Sequence, residues 1–527
     1  MKKIISLLIL ISLNYVYSQE KVGGFKTDLK NFAKPIKKSF SIFNNYNENI
    51  STFLIGHKTI YSYLLNKNFK VKQKLTLKNI KRNYSVFIGK IYDEYNNYTL
   101  IFSNNKRNKF ALIKFSFSTK ETVLIEDKFN TKGFRFLQSV NKGNTSHLLF
   151  LDEKSSNIVS RNYSINGKKT STLFNFEKER FLINQAKKTS LKKLLIDYTN
   201  PNYREVKNIG YELTKINDTP YKNKTVDKFF STTTKRSQIP PTSLELTSRI
   251  NKIYVNQDNV IITLDKNRFY TQILTLNLND GNYSLEKIKK PLFNKSNMYK
   301  RSNSFIYNHF IFIVTSTKDA LVFSIHNLKN KKLLKKIIVK SNEIIKFKNS
   351  PILQEGGAFK KYRNLEKTSG FLRKISESNI GIGVVKNNDG YEIVIGSEKQ
   401  FVKGSSTISI ILAMGLTGVH ANRLYTDGFS RTNLNSFTNY LTTKSVRIHC
   451  LFDNNFNNKA GEIEVNLYDK ITNFIKPKLT NDNDGIYSMN SEKTKVLQTF
   501  DVFKISDTTI VGLYFPYRNK YSFYKFN

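Results

Sequence analysis

The stretch VIITLDKNRFYTQILTL, residues 260–276, decides the fold. An apolar run ends at Leu264, a polar turn follows from Asp265 to Arg268, and a second run then alternates between polar and apolar residues. Alternation with a period of two is typical of a strand with one buried face. Two such runs joined by a short polar turn predict a β-hairpin.

Similar units recur along the chain, each with an apolar strand, a loop rich in Asn, Asp, Lys and Ser, and an alternating strand. Most of them begin at intervals of roughly 48–70 residues, and one interval of about 112 residues would hold two units if one is degraded. Flanking strands predicted at residues 249–255 and 283–288 give four strands to the unit around 260–276. The units occupy residues 98–117, 147–163, 260–276, 310–326, 380–395, 446–465 and 508–526.

Short antiparallel strands with a period near 40–50 residues are typical of propeller blades. Over roughly residues 45–527 the pattern resembles the β-propeller superfamily. The resemblance implies an all-β fold of about seven four-stranded antiparallel blades, or eight if the long interval holds another, with a few loop or helical insertions. The chain has no Trp, so it lacks a Trp-Asp blade signature, and its Gly-Gly pairs at 23–24 and 356–357 do not recur as kelch doublets do.

The N-terminal residues have the pattern of a targeting signal. Lys2 and Lys3 precede the apolar run 4–13, which together predict a signal peptide over residues 1–18 and a secreted, periplasmic or cell-surface protein. No later apolar run reaches the ~18–20 residues of a membrane-spanning helix. Residues 19–45 are predicted as a polar N-terminal arm and residues 46–527 as the propeller domain. The final apolar strand, 521–526, is expected to close the ring with an N-terminal strand.

Charge is the main clue to partners. The chain has 86 Lys and Arg against 40 Asp and Glu, a formal net charge of +46. One interpretation is an anionic partner such as nucleic acid, acidic polysaccharide or a lipid surface. The other is coding bias, since Lys, Asn, Ile, Phe and Tyr are all abundant. Bias explains the lysines but not the shortage of acids, so a positive field is expected either way.

Two regions interrupt the hairpins. Residues 176–198 predict a helix, because Phe181, Leu182, Ala186, Leu191 and Leu194 roughly follow helical spacing. Residues 353–373 and 403–443 are longer than a turn between strands requires. In a propeller such insertions gather on one face, which makes them candidates for a binding surface.

No catalytic motif is present: the sequence lacks HExxH, Cys-x-x-Cys, Walker and GxSxG patterns. Asp152, Asp265 and Asp453 each follow a first hairpin strand, and that equivalence favours a repeated turn role over catalysis. The TNDNDG stretch at 480–485 partly resembles a calcium loop, but a hairpin turn is preferred. We therefore predict no catalytic, cofactor or metal residue. Cys450 and most histidines are expected to be core or edge residues; the histidines are His57, His147, His309, His326, His420 and His449.

Cations beside aromatic rings in the insertions are the candidate binding residues, because they suit phosphate, sulfate or uronate groups. The favoured function is a non-catalytic scaffold for an anionic polymer, a glycan or a cell-envelope protein. The alternatives are a glycan-active hydrolase or lyase in the central funnel, which needs carboxylates at the funnel mouth, and extracellular nucleic-acid binding. The candidate residues are Lys360, Lys361, Tyr362, Arg363, His420, Arg423, Tyr425 and Arg431.

Overall fold

Strands dominate the molecule. In a computed structural model of the chain, the described residues are 19–29, 36, 38–81, 83–142, 144–196, 213–216, 244, 247–256, 259–291, 301–356, 363–387, 390–400, 443–463, 470–471, 474–475, 499–505 and 508–526. They form seven sheets of four or five strands and one two-stranded hairpin. We number the seven sheets as blades in chain order.

The first three blades are each built from four consecutive antiparallel strands. Blade 1 consists of β2 (Lys38–Phe43), β3 (Ile50–Ile55), β4 (Ile60–Leu65) and β5 (Val71–Leu77). Blade 2 consists of β6 (Val86–Tyr92), β7 (Asn97–Ser103), β8 (Phe110–Ser116) and β9 (Glu121–Asp127). Blade 3 consists of β10 (Phe134–Lys142), β11 (Thr145–Asp152), β12 (Ile158–Ser164) and β13 (Lys169–Phe174).

Blades 4 and 5 follow the same order, and blade 4 has one added strand. Blade 4 consists of β16 (Thr214–Ile216), β17 (Asn251–Asn256), β18 (Asn259–Leu264), β19 (Tyr270–Asn277) and β20 (Tyr283–Lys289). Blade 5 consists of β21 (Arg301–Tyr307), β22 (Phe310–Ser316), β23 (Ala320–Asn327) and β24 (Leu333–Lys340). The hairpin predicted at residues 260–276 is therefore confirmed as β18 and β19, and the two predicted flanking strands are confirmed as β17 and β20.

Blade 6 departs from sequential order. Its sheet order is β27, β28, β29, β25 and β26. β25 and β26 come before β27 in the chain, yet they form the outer edge of the sheet. A helix, α2 (Thr368–Ser376), connects β26 to β27. The strands are β25 (Ile352–Gly356), β26 (Arg363–Leu365), β27 (Asn379–Asn387), β28 (Gly390–Gln400) and β29 (Thr443–Phe452).

Blade 7 closes the ring and confirms the predicted pairing of the two ends of the chain. Its strands β30 (Thr499–Ile505), β31 (Thr508–Phe515) and β32 (Lys520–Phe526) are followed in the sheet by β1 (Glu20–Lys26). Glu20 pairs with Lys525 and Phe25 with Tyr521. The predicted arm, 19–45, is thus not a separate arm, since β1 and β2 lie within it and both belong to blades.

Shared apolar clusters place the blades side by side in the order 7, 1, 2, 3, 4, 5 and 6. Phe53 of blade 1 contacts Phe115 of blade 2 with ring centroids 5.3 Å apart, and Phe25 of blade 7 contacts Tyr63 of blade 1 at 4.7 Å. Further clusters join blades 2 with 3, 3 with 4, and 4 with 5 and 6. Faces of twisted sheets packed around a ring through their inner strands form a β-propeller.

The predicted helix at 176–198 is mostly wrong. Phe181–Leu182 (β14) and Lys188–Thr189 (β15) form a hairpin, and only Leu191–Leu195 (α1) is helical. The Gln272 side chain accepts a hydrogen bond from the Leu182 amide and donates one to its carbonyl, each 2.8 Å. These bonds occupy backbone groups that a helix requires, so tertiary contacts override the spacing. In the described part of 175–250 there is no further four-stranded sheet.

Candidate functional site: a basic face of the propeller

The first strands of the blades run in the same direction. The Ser39 and Ser41 amides of β2 donate to Thr499 Oγ1 and Asp501 Oδ2 of β30, at 3.1 and 2.6 Å. Because both members of the pair advance by two residues together, the two strands are parallel. The β6–β10 pair shows the same progression: Ser139 Oγ donates to the Ile88 carbonyl, and the Lys90 amide donates to Asn141.

This common direction gives the ring two distinct faces. Connections between second and third strands all lie at the end where the first strands begin, which we call the front face. Connections between first and second strands lie at the opposite end, which we call the back face. Each blade therefore contributes one connection to each face near the inner strands.

The front face is basic in every blade where its connection is described. Those connections span residues 56–59, 104–109, 153–157, 265–269, 317–319 and 516–519. Asp319 is the exposed acid among them, and Glu153 is half-buried. The exposed cations are Lys58, Lys106, Lys109, Lys154, Arg268, Lys318 and Arg518.

Short polar side chains shape these basic turns. Asn104 Oδ1 accepts from the Asn108 and Lys109 amides at 3.0 and 3.2 Å. Thr317 Oγ1 accepts from the Asp319 and Ala320 amides at 3.2 and 3.1 Å. Such Asx and Ser/Thr turns fix the backbone locally. The cationic side chains then project from ordered turns into solvent.

The back-face connections have the opposite composition. The described residues between first and second strands are 44–49, 93–96, 144 and 308–309, and none of these is Lys or Arg. A uniform excess of lysine from coding bias would enrich both faces. Near the inner strands the described connections carry exposed cations only at the front end. The connections between third and fourth strands, farther from the centre, carry exposed lysines at the back end.

The predicted binding residues lie almost entirely outside the described residues. Arg363 is the first residue of β26 and pairs with Gln354; the described backbone places it in a strand. The flanks of both insertions are also described, and Gln400 pairs with Thr443 while Gly356 pairs with Lys444. Both insertions therefore leave blade 6 at its front end. Lys360, Lys361, Tyr362, His420, Arg423, Tyr425 and Arg431 lie outside the described residues, as does the stretch 480–485.

Asp152 and Asp453 have the predicted turn role. Asp152 Oδ1 accepts from the Lys154 amide at 2.9 Å, and Asp453 Oδ1 accepts from the Asn455 and Asn457 amides at 2.9 and 2.8 Å. Both carboxylates cap the turn that follows a strand, as Asp side chains commonly do.

Asp265 corrects the prediction that all three aspartates are equivalent. Its carboxylate is buried and forms an ion pair with Lys290 at 3.2 Å, with both side chains 0% exposed. Ser304 of blade 5 donates to it from its amide at 3.0 Å and its hydroxyl at 2.5 Å. Burial acts to raise the pKa of Asp265, but Lys290 and Lys252 hold it below its usual range. Asp265 joins blades 4 and 5 and has no access to a substrate.

Cys450, His147 and His449 have structural environments. Cys450 is buried, as expected, and burial raises the pKa of its thiol. His147 Nδ1 is 2.8 Å from Asn162 Oδ1, and His449 Nδ1 is 2.9 Å from Glu392. Within the described ranges no three His, Cys, Asp or Glu side chains are grouped to hold a metal ion. No described helix has the length and hydropathy to cross a membrane.

The centre of the ring contains an added strand near blade 4. β16 pairs in parallel with β17 on the side away from β18. The Leu213 amide just before it donates to the Leu137 carbonyl of blade 3 at 3.0 Å, and Gln138 Nε2 donates to the Leu213 carbonyl at 2.8 Å. This segment therefore bridges the inner strands of blades 3 and 4. Sequence reasoning did not predict it, since three residues carry no periodic signal.

Comparison with known proteins leaves the function open. No protein-family model matches the sequence, and no curated protein matches it. Among solved structures, the Dos1 propeller is similar at 10% identity over 93% of this chain and 77% of that one, with a TM-score of 0.27. A Listeria monocytogenes EGD-e protein is similar at 8% identity over 71% and 82%, with a TM-score of 0.27.

A prolyl endopeptidase structure is similar at 7% identity over 69% of this chain, with a TM-score of 0.29. The match covers 40% of that enzyme, so the chain spans less than half its length. Scores this low carry no information about activity. The propeller assignment rests on the strand order and the contacts between blades.

Proposed function

We propose that the protein is a non-catalytic scaffold whose front face binds an anionic polymer outside the cytoplasm. The observation that supports this most is a contrast near the inner strands: exposed cations occur on every described connection between second and third strands, whereas the described residues between first and second strands include none. The front-face cations belong to six blades. A ligand that engages several of them at once must be extended and carry repeated negative charge.

The distribution of charge favours a polymer over a small anion. An exposed ion pair contributes about 0.2–1 kcal/mol, so one Lys holds one phosphate or sulfate weakly. Several such contacts along one chain add together, and release of condensed counterions makes the affinity strongly salt-dependent. A sulfated or uronate-rich polysaccharide fits this surface, and the insertions of blade 6 leave the same face.

The front face supports the glycan-active enzyme less well. A glycosidase needs paired carboxylates around its substrate. Among the described front-face connections Asp319 is the exposed carboxylate, and Asp265 is buried in an ion pair. As part of the same proposal, the predicted signal peptide over residues 1–18 supports a location in the periplasm, at the cell surface or outside the cell.

The test removes the charge of lysines in front-face connections and, as a control, of lysines in connections between third and fourth strands. We expect K58Q/K106Q/K109Q/K154Q to weaken binding to heparin at least tenfold and to reduce the slope of log K against log salt, measured by titration calorimetry at several salt concentrations. The matched control, K70Q/K168Q/K329Q/K332Q, removes four exposed lysines from connections between third and fourth strands. It should bind within threefold of the unmodified protein.

Equal loss in both variants would contradict a front-face site and indicate a response to net charge alone. Binding of single-stranded DNA that exceeds heparin binding at the same salt, and is lost in the front-face variant, would favour the nucleic-acid alternative.

A further inference from the structure

On the back face, blades 1 and 2 share a local feature that the other blades do not repeat. In blades 1 and 2 the connection between the first and second strands is six and four residues long, residues 44–49 and 93–96, whereas in the other blades it is two residues. Each long connection presents one tyrosine. Tyr46 is 55% exposed and Tyr95 is 66% exposed.

The two tyrosines are displayed by the same local structure. The Tyr46 amide donates to Asn44 Oδ1 at 3.0 Å, and the Tyr95 amide donates to Asp93 Oδ1 at 3.0 Å. In each turn an Asn or Asp two residues earlier fixes the backbone, so both rings project from equivalent positions. The edge of Tyr92 also supports Tyr46, with ring centroids 6.1 Å apart.

Hydrogen bonds between the blades hold the pair of connections together. Asn44 Nδ2 donates to the Asp93 carbonyl at 2.7 Å, and Asn47 Nδ2 donates to the Glu94 carbonyl at 2.7 Å. Asn49 Nδ2 and Asn47 Nδ2 both donate to Asn96 Oδ1, at 3.1 and 2.9 Å. A rigid surface loses little conformational entropy when it binds, which favours a preorganised recognition site.

The chemistry of this surface, which we call the tyrosine patch, indicates its ligand. Tyrosine provides a flat, rigid, amphipathic contact area. Exposed Asn45, Glu48 and Glu94 belong to the same two connections and supply amide and carboxylate groups, which between them donate to and accept from hydroxyl groups. Lys67 lies 3.6 Å from Glu48, and Lys72 donates to Asn49 Oδ1; these two ammonium groups disfavour a cationic ligand.

We propose that the tyrosine patch (Tyr46 and Tyr95 with Asn45, Glu48 and Glu94) is a second binding site, specific for a neutral oligosaccharide. The C–H face of a sugar ring stacks on each tyrosine, and its hydroxyls bond to the surrounding amide and carboxylate groups. This site is independent of the front face and takes an uncharged ligand. A chain with both sites bridges an anionic polymer and a neutral glycan.

The probes are maltohexaose, cellohexaose and chitohexaose, titrated into the full-length protein by calorimetry. We expect at least one to bind, the Y46A/Y95A variant to weaken that binding at least tenfold, and Y46F/Y95F to stay within threefold because stacking is retained. V71A/V123A, two exposed residues on outer strands, should have no effect. The K58Q/K106Q/K109Q/K154Q variant should bind the sugar unchanged.

Three results would overturn the proposal. They are no binding of any of the three sugars, equal affinity in the Y46A/Y95A variant, or preferential binding of a nonaarginine peptide that the same variant loses. Heparin binding distinguishes the two proposals, since the Y46A/Y95A variant should still bind heparin if the front-face proposal is correct.

Discussion

Two buried aspartates join neighbouring blades with nearly the same geometry and opposite protonation behaviour. Asp265 accepts from the Ser304 amide of the next blade at 3.0 Å, and Asp501 accepts from the Ser41 amide of the next blade at 2.6 Å. Lys290 forms an ion pair with Asp265. Asp501 instead accepts from the Tyr521 hydroxyl, which is a neutral donor.

The neighbouring side chains determine whether each aspartate is ionised. Burial raises the pKa of Asp501 to about 6, against the hydrogen bonds of Tyr521 and Ser41 and the charge of Lys90, which lower it. At Asp265 the lysines outweigh burial and the pKa is lowered. Asp265 is therefore held in its ionised form beside Lys290, whose own pKa burial lowers. The carboxyl of Asp501, between blades 7 and 1, instead changes protonation as the pH passes through about 6. Neutral donors, here a serine amide and a tyrosine hydroxyl, do not offset the burial of a carboxylate.

The largest effect should come from removing the ring closure. Deletion of residues 521–527 takes away nearly all of β32 and leaves β1 without its partner, so we expect the whole protein to lose cooperative unfolding, measured by circular dichroism during urea titration. Deletion of Asn527 alone should change nothing. A truncated protein that unfolds like the full chain would show that the contact at Asp501 is dispensable.

The next effect tests the contact of blades 4 and 5. Lys290→Met leaves Asp265 buried without its ion-pair partner, which we expect to cost about 3–5 kcal/mol of unfolding free energy. The double variant K290M/D265N should recover more than half of that loss, because no charge remains to be paired. Lys289→Met, at the exposed neighbouring position, should stay within ~0.5 kcal/mol. Equal stability of K290M and the unmodified protein would mean that the ion pair is not formed.

The smallest effect concerns the pH dependence of stability at Asp501. Because the folded pKa of Asp501 is above the unfolded value of 3.8, its contribution is fully present below about pH 4 and is lost as pH rises through about 6. Asp501→Asn should therefore be more stable than the unmodified protein by about 2 kcal/mol at pH 7.5. At pH 4.5 the difference should fall below about 1 kcal/mol. Urea unfolding at both values measures this, and a pH-independent difference would refute a titrating Asp501.

The repeated hairpin pattern predicted the fold class, because a strand with one buried face has alternating apolar and polar residues. Residues 260–276, 310–326 and 508–526 are hairpins as expected. The correspondence of units and blades was less accurate. Residues 380–395 and 446–465 both belong to blade 6, since the connection 401–442 separates its second and third strands, and blade 1 was not recognised as a unit.

What the sequence did not predict depends on contacts between distant residues. Asp265 has the same local position as Asp152, and only the packing of Lys290 and Ser304 against it makes it a buried charge. The front face shows the same limit: Lys58 and Lys318 are ordinary lysines in ordinary turns until the common strand direction places them on one side. The back-face tyrosines had a usable signal, since NNYNEN (44–49) and DEYN (93–96) are similar and lie at the same place in consecutive blades.

The pairing of β1 with β32 also has a kinetic meaning. It joins residues at opposite ends of a chain of 527 residues, and closing a loop of that length costs on the order of 5–6 kcal/mol of chain entropy, with a weak logarithmic dependence on length. Contacts of such high sequence separation form late. During synthesis, β1 emerges before every other described strand, and its partner β32 emerges after all of them. Blade 7 is thus the last to assemble, and until then β1 has an unpaired edge exposed to other chains.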